Sequence, residues 1–309
     1  MKASAAVAGL LFLSLSFAPD AQARMGCSYA GAPTNRLTVT ADRGAFGEIY
    51  RRGSEIMVGE SLEHPRLCSG GEPTVLNTDT IKVVTRGGFS FVELDLGGGA
   101  FGPGATPEAD GASEVEIVFS GRGAFASVRG TSRADEFHWG PGGVQAGLNL
   151  NPRNSGDQDV DVTVRGRFSF LVAVGAAGDD TIIPAPGGVG PNEAGVFSDG
   201  GTGNDLLIAP PSGGGTREGG PGKDRLIGGS DFLGDNLDGG SGNDRVVGGA
   251  GPDVIKGGRG RDLLSGGRGR DRINSRDSTR DRVRCGPGRD RVKADRRDRL
   301  GGCEAIRRR

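Results

Sequence analysis

Aliphatic residues recur every nine positions in the C-terminal part of the chain. Residues 248–274 read GGAGPDVIK, GGRGRDLLS and GGRGRDRIN, so each block has Gly at positions one, two and four, Asp at six and an aliphatic residue at eight. One aliphatic side chain between polar neighbours predicts a short strand with a single inward-facing residue. The glycine-rich remainder predicts a turn. Repetition of this unit indicates a stack of coils, in which each repeat contacts only its neighbours.

The same register extends on both sides. Regular blocks begin at residues 200, 219 and 239, block 228–238 carries a two-residue insertion, and block 276–284 has lost its glycines. The sixth-position aspartates are Asp180, Asp205, Asp224, Asp235, Asp244, Asp253, Asp262, Asp271, Asp281 and Asp290. The aliphatic residues two positions later are Ile182, Leu207, Leu226, Leu237, Val246, Ile255, Leu264, Ile273, Val283 and Val292. Segment 209–218 has the length of one block without an aspartate.

Residues 24–174 show strand signals without helical periodicity. Runs rich in Val, Ile, Thr and Phe, separated by glycine-rich loops, lie at 36–41, 80–84, 91–96, 115–119, 160–166 and 168–174. Asp79 precedes Ile81, and Asp135 precedes Phe137, at the offset seen in the repeat. We expect this region to continue the solenoid less regularly, with both aspartates in structural roles. A separate small β-sandwich is the alternative.

The repeat resembles the haemolysin-type calcium-binding repeat, RTX, whose consensus is GGxGxDxUx. The resemblance is close over about 200–292 and implies a right-handed parallel β-roll in which two blocks form one coil. It also implies Ca²⁺ ions between stacked turns, held by aspartate carboxylates and backbone carbonyls of blocks n and n+2. We therefore expect an all-β fold, regular in the C-terminal half and irregular in the N-terminal half, and several bound Ca²⁺ ions.

The residue chemistry supports calcium independently. Ca²⁺ takes six to eight oxygen ligands, and glycine lets a turn bring its carbonyls close to the ion. Without metal, stacked carboxylates about 4 Å apart would repel by roughly 4 kcal/mol per pair. The ten aspartates are the predicted ligands. Pairing of blocks n and n+2, which the resemblance implies, gives one column of Asp235, Asp253, Asp271 and Asp290 and another of Asp205, Asp224, Asp244, Asp262 and Asp281. The best sites are expected between Asp235 and Asp253, Asp253 and Asp271, and Asp244 and Asp262. The alternative is a glycine-rich linker in which aspartates pair with neighbouring arginines.

Cysteine and leader patterns predict an exported protein. Ala21-Gln22-Ala23 follows a short apolar run at 5–17, as in a signal peptide cleaved before Arg24, although an uncleaved anchor is the alternative. No later segment approaches the length of a membrane span. Four cysteines suit an oxidising compartment. An elongated solenoid would separate its ends, so adjacent bridges, Cys27–Cys68 and Cys285–Cys303, are favoured. A zinc site is disfavoured because there is no CxxC motif and both histidines, His64 and His138, are isolated.

Composition and charge limit the possible functions. The chain has 60 glycines and 34% hydrophobic residues, too few for a large layered core. From residue 255 onward, 19 Lys and Arg stand against 8 Asp and Glu. In a secreted protein this favours an anionic cell-wall polymer or polysaccharide over nucleic acid as partner. The simpler interpretation, in which these arginines solvate a small coil and offset aspartate charge, is preferred to either. Neither HExxH nor GxSxG occurs, so we predict no enzyme activity. A polysaccharide lyase or epimerase on a β-helix with an RTX module is the alternative.

The predicted organisation has four parts. Residues 1–23 form the signal peptide, 24–174 the irregular β-rich region, 175–292 the calcium-binding β-roll, and 293–309 a C-terminal cap with an Arg-rich tail. The predicted function is that of a secreted calcium-binding repeat protein with a structural or adhesive role at the cell surface.

Overall fold

The computed structural model describes residues 24–59, 65–86, 90–98, 115–122, 125–133, 135–142, 145–149, 162–167, 170–184, 195–210, 214–230 and 232–308. The predicted signal peptide and His64 lie outside these residues, as does the side chain of His138. The described residues contain no helix with the length and apolarity needed to cross a bilayer.

The described chain is built of short strands. They are β1 (Met25–Ala30), β2 (Arg36–Ala41), β3 (Phe46–Arg52), β4 (Glu55–Gly59), β5 (Pro65–Arg66), β6 (Thr80–Thr85), β7 (Phe91–Asp95), β8 (Glu116–Arg122), β9 (Phe125–Arg129), β10 (Glu136–Gly142), β11 (Gln145–Asn149), β12 (Val162–Arg167), β13 (Phe170–Val174), β14 (Thr181–Pro184), β15 (Gly195–Asp199), β16 (Leu206–Ile208), β17 (Gly215–Gly222), β18 (Arg225–Ile227), β19 (Asn236–Gly242), β20 (Arg245–Ala250), β21 (Val254–Lys256), β22 (Leu263–Arg268), β23 (Arg272–Asn274), β24 (Arg282–Arg284), β25 (Arg291–Ala294), β26 (Arg299–Gly301) and β27 (Ala305–Arg308).

The strands form two long sheets that face each other. Sheet A has the order β1-β2-β6-β8-β12-β11-β10-β14-β16-β18-β20-β22-β24-β26, and sheet B has the order β27-β25-β23-β21-β19-β17-β15-β13-β9-β7-β3-β4-β5. From β13 onward, successive strands alternate between the sheets and each pairs in parallel with the strand two further along. Two strands and two turns therefore make one coil, which confirms the predicted parallel β-roll.

The N-terminal region is less regular, as expected. Each of the six apolar runs predicted there contains a strand, and the parallel ladders of both sheets extend through them. Antiparallel pairs interrupt the pattern at β1–β2, β3–β4–β5 and β10–β11–β12. Because β13 continues the parallel ladder of β9 into β15, sheet B runs from this region into the repeats without a break in pairing.

The core is a narrow column of aliphatic side chains between the sheets. All ten eighth-position residues are at most 2% exposed and belong to one apolar cluster. In sheet B, Leu237 lies beside Ile255, and Ile255 beside Ile273. Each regular coil thus contributes one aliphatic side chain from each sheet, and the burial of each such side chain stabilises the roll by roughly 1.5–3 kcal/mol relative to exposure. The nine-residue spacing of the sequence is the length of this half-coil.

Two disulfides join the predicted cysteine pairs. Cys27 is bonded to Cys68, and Cys285 to Cys303. The second bridge ties the turn before β25 to a final coil, in which β26 pairs with β24 and β27 with β25. Since the end of a solenoid exposes unpaired backbone groups, this covalent link restrains the coil that is least supported by neighbours.

Candidate metal centre

The repeat aspartates are stacked in two buried ladders. The turns that precede sheet A carry Asp180, Asp205, Asp224, Asp244, Asp262 and Asp281, and the turns that precede sheet B carry Asp235, Asp253, Asp271 and Asp290. In each ladder, the Oδ1 atom of one aspartate accepts a hydrogen bond of 2.8–3.0 Å from the backbone N–H of the aspartate one coil earlier. All ten are at most 3% exposed. The two columns expected from the sequence are therefore present.

The linker alternative is not supported by this arrangement. Arginines that follow the aspartates, such as Arg225, Arg245 and Arg282, are exposed on the outer faces of the strands, whereas the aspartates point into the turns. Asp235 forms a salt bridge, and its partner is Arg217 rather than an adjacent arginine.

Glycine is required where the turns approach each other. A Cβ atom on Gly175, at position one of its block, would lie 2.2 Å from Asp180 Oδ2 and 2.4 Å from the carbonyl oxygen of Gly200 in the next coil. Gly220, at position two, has φ +100°, and a Cβ there would lie 2.0 Å from Gly201 O. These contacts place a carboxylate oxygen and glycine carbonyl oxygens around spaces too small for a side chain.

The second carboxylate oxygen is the group that the protein leaves without a hydrogen bond. The Oδ2 atoms without a hydrogen-bond partner among the described residues include those of Asp180, Asp205, Asp224, Asp244, Asp262, Asp271, Asp281 and Asp290. A buried carboxylate oxygen without a partner is costly. Repetition at successive coils indicates that something outside the chain satisfies these atoms.

Burial and like charge raise the pKa of seven ladder carboxyls, those of Asp180, Asp205, Asp224, Asp244, Asp262, Asp271 and Asp281. Desolvation is the largest cause in each case, repulsion from neighbouring aspartates adds to it, and the ladder hydrogen bond opposes it. The pKa is raised from 3.8 to about 7 for Asp180, Asp224, Asp244, Asp262 and Asp281. It is raised to about 6 for Asp205. The ladders thus favour a bound cation or a bound proton near neutral pH.

The donor set fits Ca²⁺. Each stack offers carboxylate oxygens and backbone carbonyl oxygens, the hard ligands that calcium prefers, without nitrogen or sulfur donors. Within the described part of the chain, no three His, Cys, Asp or Glu side chains converge on one metal position. Carbonyl oxygens must therefore supply much of any coordination shell, which agrees with the glycine content of the turns. A bound Ca²⁺ would neutralise the stacked carboxylates.

Asp235 departs from the pattern of the other nine. Its Oδ1 accepts hydrogen bonds from Arg217 Nη1 at 2.7 Å and Gly215 N at 3.0 Å, and its Oδ2 accepts one from Gly229 N at 2.6 Å. Arg217 is fully buried and lies beside Leu237 in the ladder, at the position where other coils place an aliphatic residue. Its pKa is lowered by burial, while Asp235 opposes that shift. A guanidinium thus lies at the head of this column, where the preceding segment 209–218 has no aspartate.

Asp281 keeps its place although its turn has lost the consensus glycines. Asp262 N donates to Asp281 Oδ1 at 2.9 Å, and Asp281 is fully buried. Asp277 replaces part of the missing turn geometry: its Oδ2 accepts from Gly260 N, while Thr279 Oγ1 donates to Gly260 O. The loss of glycines from this turn therefore affects which carbonyl oxygens are available to a metal, but it does not move the aspartate.

Three acidic residues extend the ladders beyond the predicted set. Asp281 N donates to Asp298 Oδ1 at 3.0 Å, and Asp290 N to Glu304 Oε2 at 2.9 Å. At the other end, Asp135 N donates to Asp180 Oδ1 at 2.7 Å, so Asp135 belongs to the sheet A ladder. Asp298 and Glu304 precede Leu300 and Ile306 by two residues, which is the repeat offset; the block of Asp298 has none of the consensus glycines, and that of Glu304 keeps Gly302 at position four. That offset is the signal that would have found them.

Comparison with known families agrees with this geometry. The RTX calcium-binding nonapeptide repeat matches residues 238–273 in four copies. No curated protein and no solved structure matches the chain. The fold and its stacked turns define a parallel β-roll, and residues 238–273 match the RTX calcium-binding repeat. The ladders continue beyond these residues in both directions.

The buried pair of Arg217 and Asp235 gives a testable prediction. We expect Arg217→Met to destabilise the calcium-loaded protein by about 3–5 kcal/mol, because it leaves a buried carboxylate without its cation. Urea unfolding at saturating calcium measures the loss. The double variant Arg217→Met/Asp235→Asn removes both charges and should recover most of it. A double variant as unstable as the single one would show that packing of the arginine, and not the ion pair, is what the fold requires.

Proposed function

We propose that the chain is a secreted protein whose β-roll binds several Ca²⁺ ions and serves a structural or adhesive role at the cell surface. The observation that carries the proposal is the row of buried Oδ2 atoms without a partner, repeated at successive coils beside glycine carbonyls. The proposed ligands are the ten repeat aspartates, with Asp235 contributing least because both its oxygens are already bonded. The two disulfides and the Ala21-Gln22-Ala23 motif support export.

Calcium would act as a structural ligand. The protein holds each carboxylate by a ladder hydrogen bond to one oxygen and directs the other oxygen toward glycine carbonyls of the turns. Because the unfolded chain has no such arrangement, ion binding and coil stacking are coupled, and the metal stabilises the roll by mass action. A protein made in low calcium and exported into higher calcium would then fold after export.

One buried polar group bears on the alternative of a lyase or epimerase. Glu93, Ser127 and Arg129 form a buried polar group on the side of sheet B away from the core. Arg129 Nε donates to Glu93 Oε1 at 2.8 Å, and Ser127 Oγ donates to Glu93 Oε2 at 3.1 Å. A carboxylate with both oxygens engaged in this way is typical of a structural ion pair, so we retain the non-enzymatic proposal.

The test of the proposed function is localisation with and without calcium. Mass spectrometry of the exported protein should give a chain beginning at Arg24. The protein should be recovered with the cell surface in calcium and released by a chelator. A full-length N-terminus, or recovery from the surface that is unchanged by chelation, would contradict the proposal. Turnover of a uronate polymer that is lost in Glu93→Gln, and kept in a matched Glu55→Gln control, would instead favour the enzyme alternative.

A further inference from the structure

The outer face of sheet B changes character along the roll. In the coils of β17 and β19 it carries the acidic residues Glu218 and Asp238. On the sheet B strands β21, β23, β25 and β27, the outward positions form two rows along the roll axis. The first row is Val254, Arg272, Arg291 and Ala305, and the second row is Lys256, Asn274, Lys293 and Arg307. None of these eight side chains is acidic, and five are cationic. We call this surface the cationic face.

The cationic residues of this face lie directly beside one another. Arg272 is paired in register with Arg291, and Lys293 with Arg307. Lys256 Nζ forms a salt bridge of 2.6 Å with Asp238, but no salt bridge joins the other four to a carboxylate within the described part of the chain. Like charges on directly opposed strand positions destabilise a sheet. An anion lying across the strands would remove that repulsion.

The face is also concave. A groove of about 760 Å³ is lined by Lys256, Arg272, Arg291, Lys293 and Arg307 together with Asn274 and the apolar residues of the same strands. Lysine and arginine often serve only to keep the edge of a sheet from pairing. Here Arg272 and Arg291 lie on interior strands, each with a neighbour on both sides, so edge protection does not account for them.

We propose that the cationic face binds a linear anionic polysaccharide of the polyuronate type, aligned with the roll axis; the proposal rests on the proposed calcium-dependent fold. Successive strands are about 4.7–4.9 Å apart, so Arg272 and Arg291 in one row, and Lys293 and Arg307 in the other, present cations one strand spacing apart. A polyuronate carries one carboxylate on every sugar ring, and arginine binds a carboxylate through two parallel hydrogen bonds. Single-stranded nucleic acid is disfavoured because its binding relies on aromatic stacking, and the eight outward side chains include no aromatic residue.

The test compares two triple variants of the mature chain in calcium. Arg272→Gln/Arg291→Gln/Lys293→Gln removes three charges from the cationic face. The matched control, Arg225→Gln/Arg245→Gln/Arg282→Gln, removes three exposed charges from the outer face of sheet A. The probe is an oligogalacturonate too short to gel with calcium, and binding is measured by calorimetry. We expect the first variant to lose about tenfold or more in affinity and the control less than about threefold.

Circular dichroism in the same buffer separates the possible failures. A chain that gains no β signal in calcium would overturn the proposed function. A folded chain that does not bind the oligomer would overturn only the cationic-face proposal. Equal losses of affinity in the two variants would show that binding is general charge attraction, and this result would also overturn the cationic-face proposal. Tighter binding of single-stranded DNA, lost in the first variant alone, would identify nucleic acid as the partner instead.

Discussion

Removing calcium should unfold the β-roll, and Asp253→Ala should raise the calcium concentration required for refolding about tenfold. Asp253 lies between Asp235 and Asp271 in its ladder, and its turn retains Gly248, Gly249 and Gly251. In the proposed arrangement it binds the ion shared with Asp271, and it is the main carboxylate ligand on its other side, where Asp235 has both oxygens hydrogen-bonded. The apo protein should therefore show little β signal by circular dichroism, and calcium titration should restore it in the parent at a lower concentration than in the variant.

Asp281→Ala is the matched comparison and should shift the midpoint less. Each substitution replaces a fully buried aspartate whose Oδ1 accepts one ladder hydrogen bond, so both variants lose the same type of hydrogen bond. The turns differ, because Thr279 Oγ1 already donates to Gly260 O and so occupies a carbonyl oxygen that a metal would need. Equal shifts would contradict the assigned ranking of the sites. No response of the parent protein to calcium would refute the calcium proposal itself.

Lowering the pH should partly replace calcium in the metal-free protein. The folded-state pKa of five ladder aspartates is about 7, well above the 3.8 of an ordinary aspartate, chiefly because they are buried. A folded pKa above the unfolded one means that protonation favours the folded state. This contribution is complete below about pH 4 and is lost as the pH rises through about 7. The β signal of the apo protein should thus be larger at pH 5 than at pH 8.

Calcium should remove this pH dependence, since the ion replaces the protons. Its binding near pH 7 should release protons, which calorimetry in buffers of different ionisation enthalpy detects. Asp262→Asn retains an acceptor for the ladder but cannot titrate, so it should reduce the change between pH 5 and pH 8. Asp42→Asn, outside the ladders, should leave it unchanged. An apo protein that gains β structure toward alkaline pH would show that repulsion in the ladders does not govern its folding.

Much of this protein can be derived from its nine-residue pattern. The pattern predicted stacked units of one turn and one strand with an inward aliphatic column, because the geometry of one block is local. The parallel β-roll and the assignment of aspartates to two stacks were implied by the resemblance of the pattern to the RTX repeat. The cysteine positions gave both bridges, since the two pairs lie at opposite ends of a linear stack. The strand runs of the N-terminal region were found from their composition, but not the antiparallel pairs at β10–β11–β12, which depend on how insertions are accommodated between coils.

What only the tertiary structure decided concerns contacts between coils. Arg217 stands at an aliphatic position in the sequence, and its role follows from the buried carboxylate of Asp235, 18 residues away. Asp298 lacks the flanking glycines and Glu304 keeps only Gly302 at position four, yet stacking places both at the ends of the ladders. Asp281 keeps its position because Asp277 and Thr279 supply hydrogen bonds that the lost glycines do not. The sequence by itself determined the repeating unit, because a turn and a strand are set by neighbouring residues. The partner of each carboxylate depends instead on the register between coils, and that register is determined by insertions and by the packing of the whole stack.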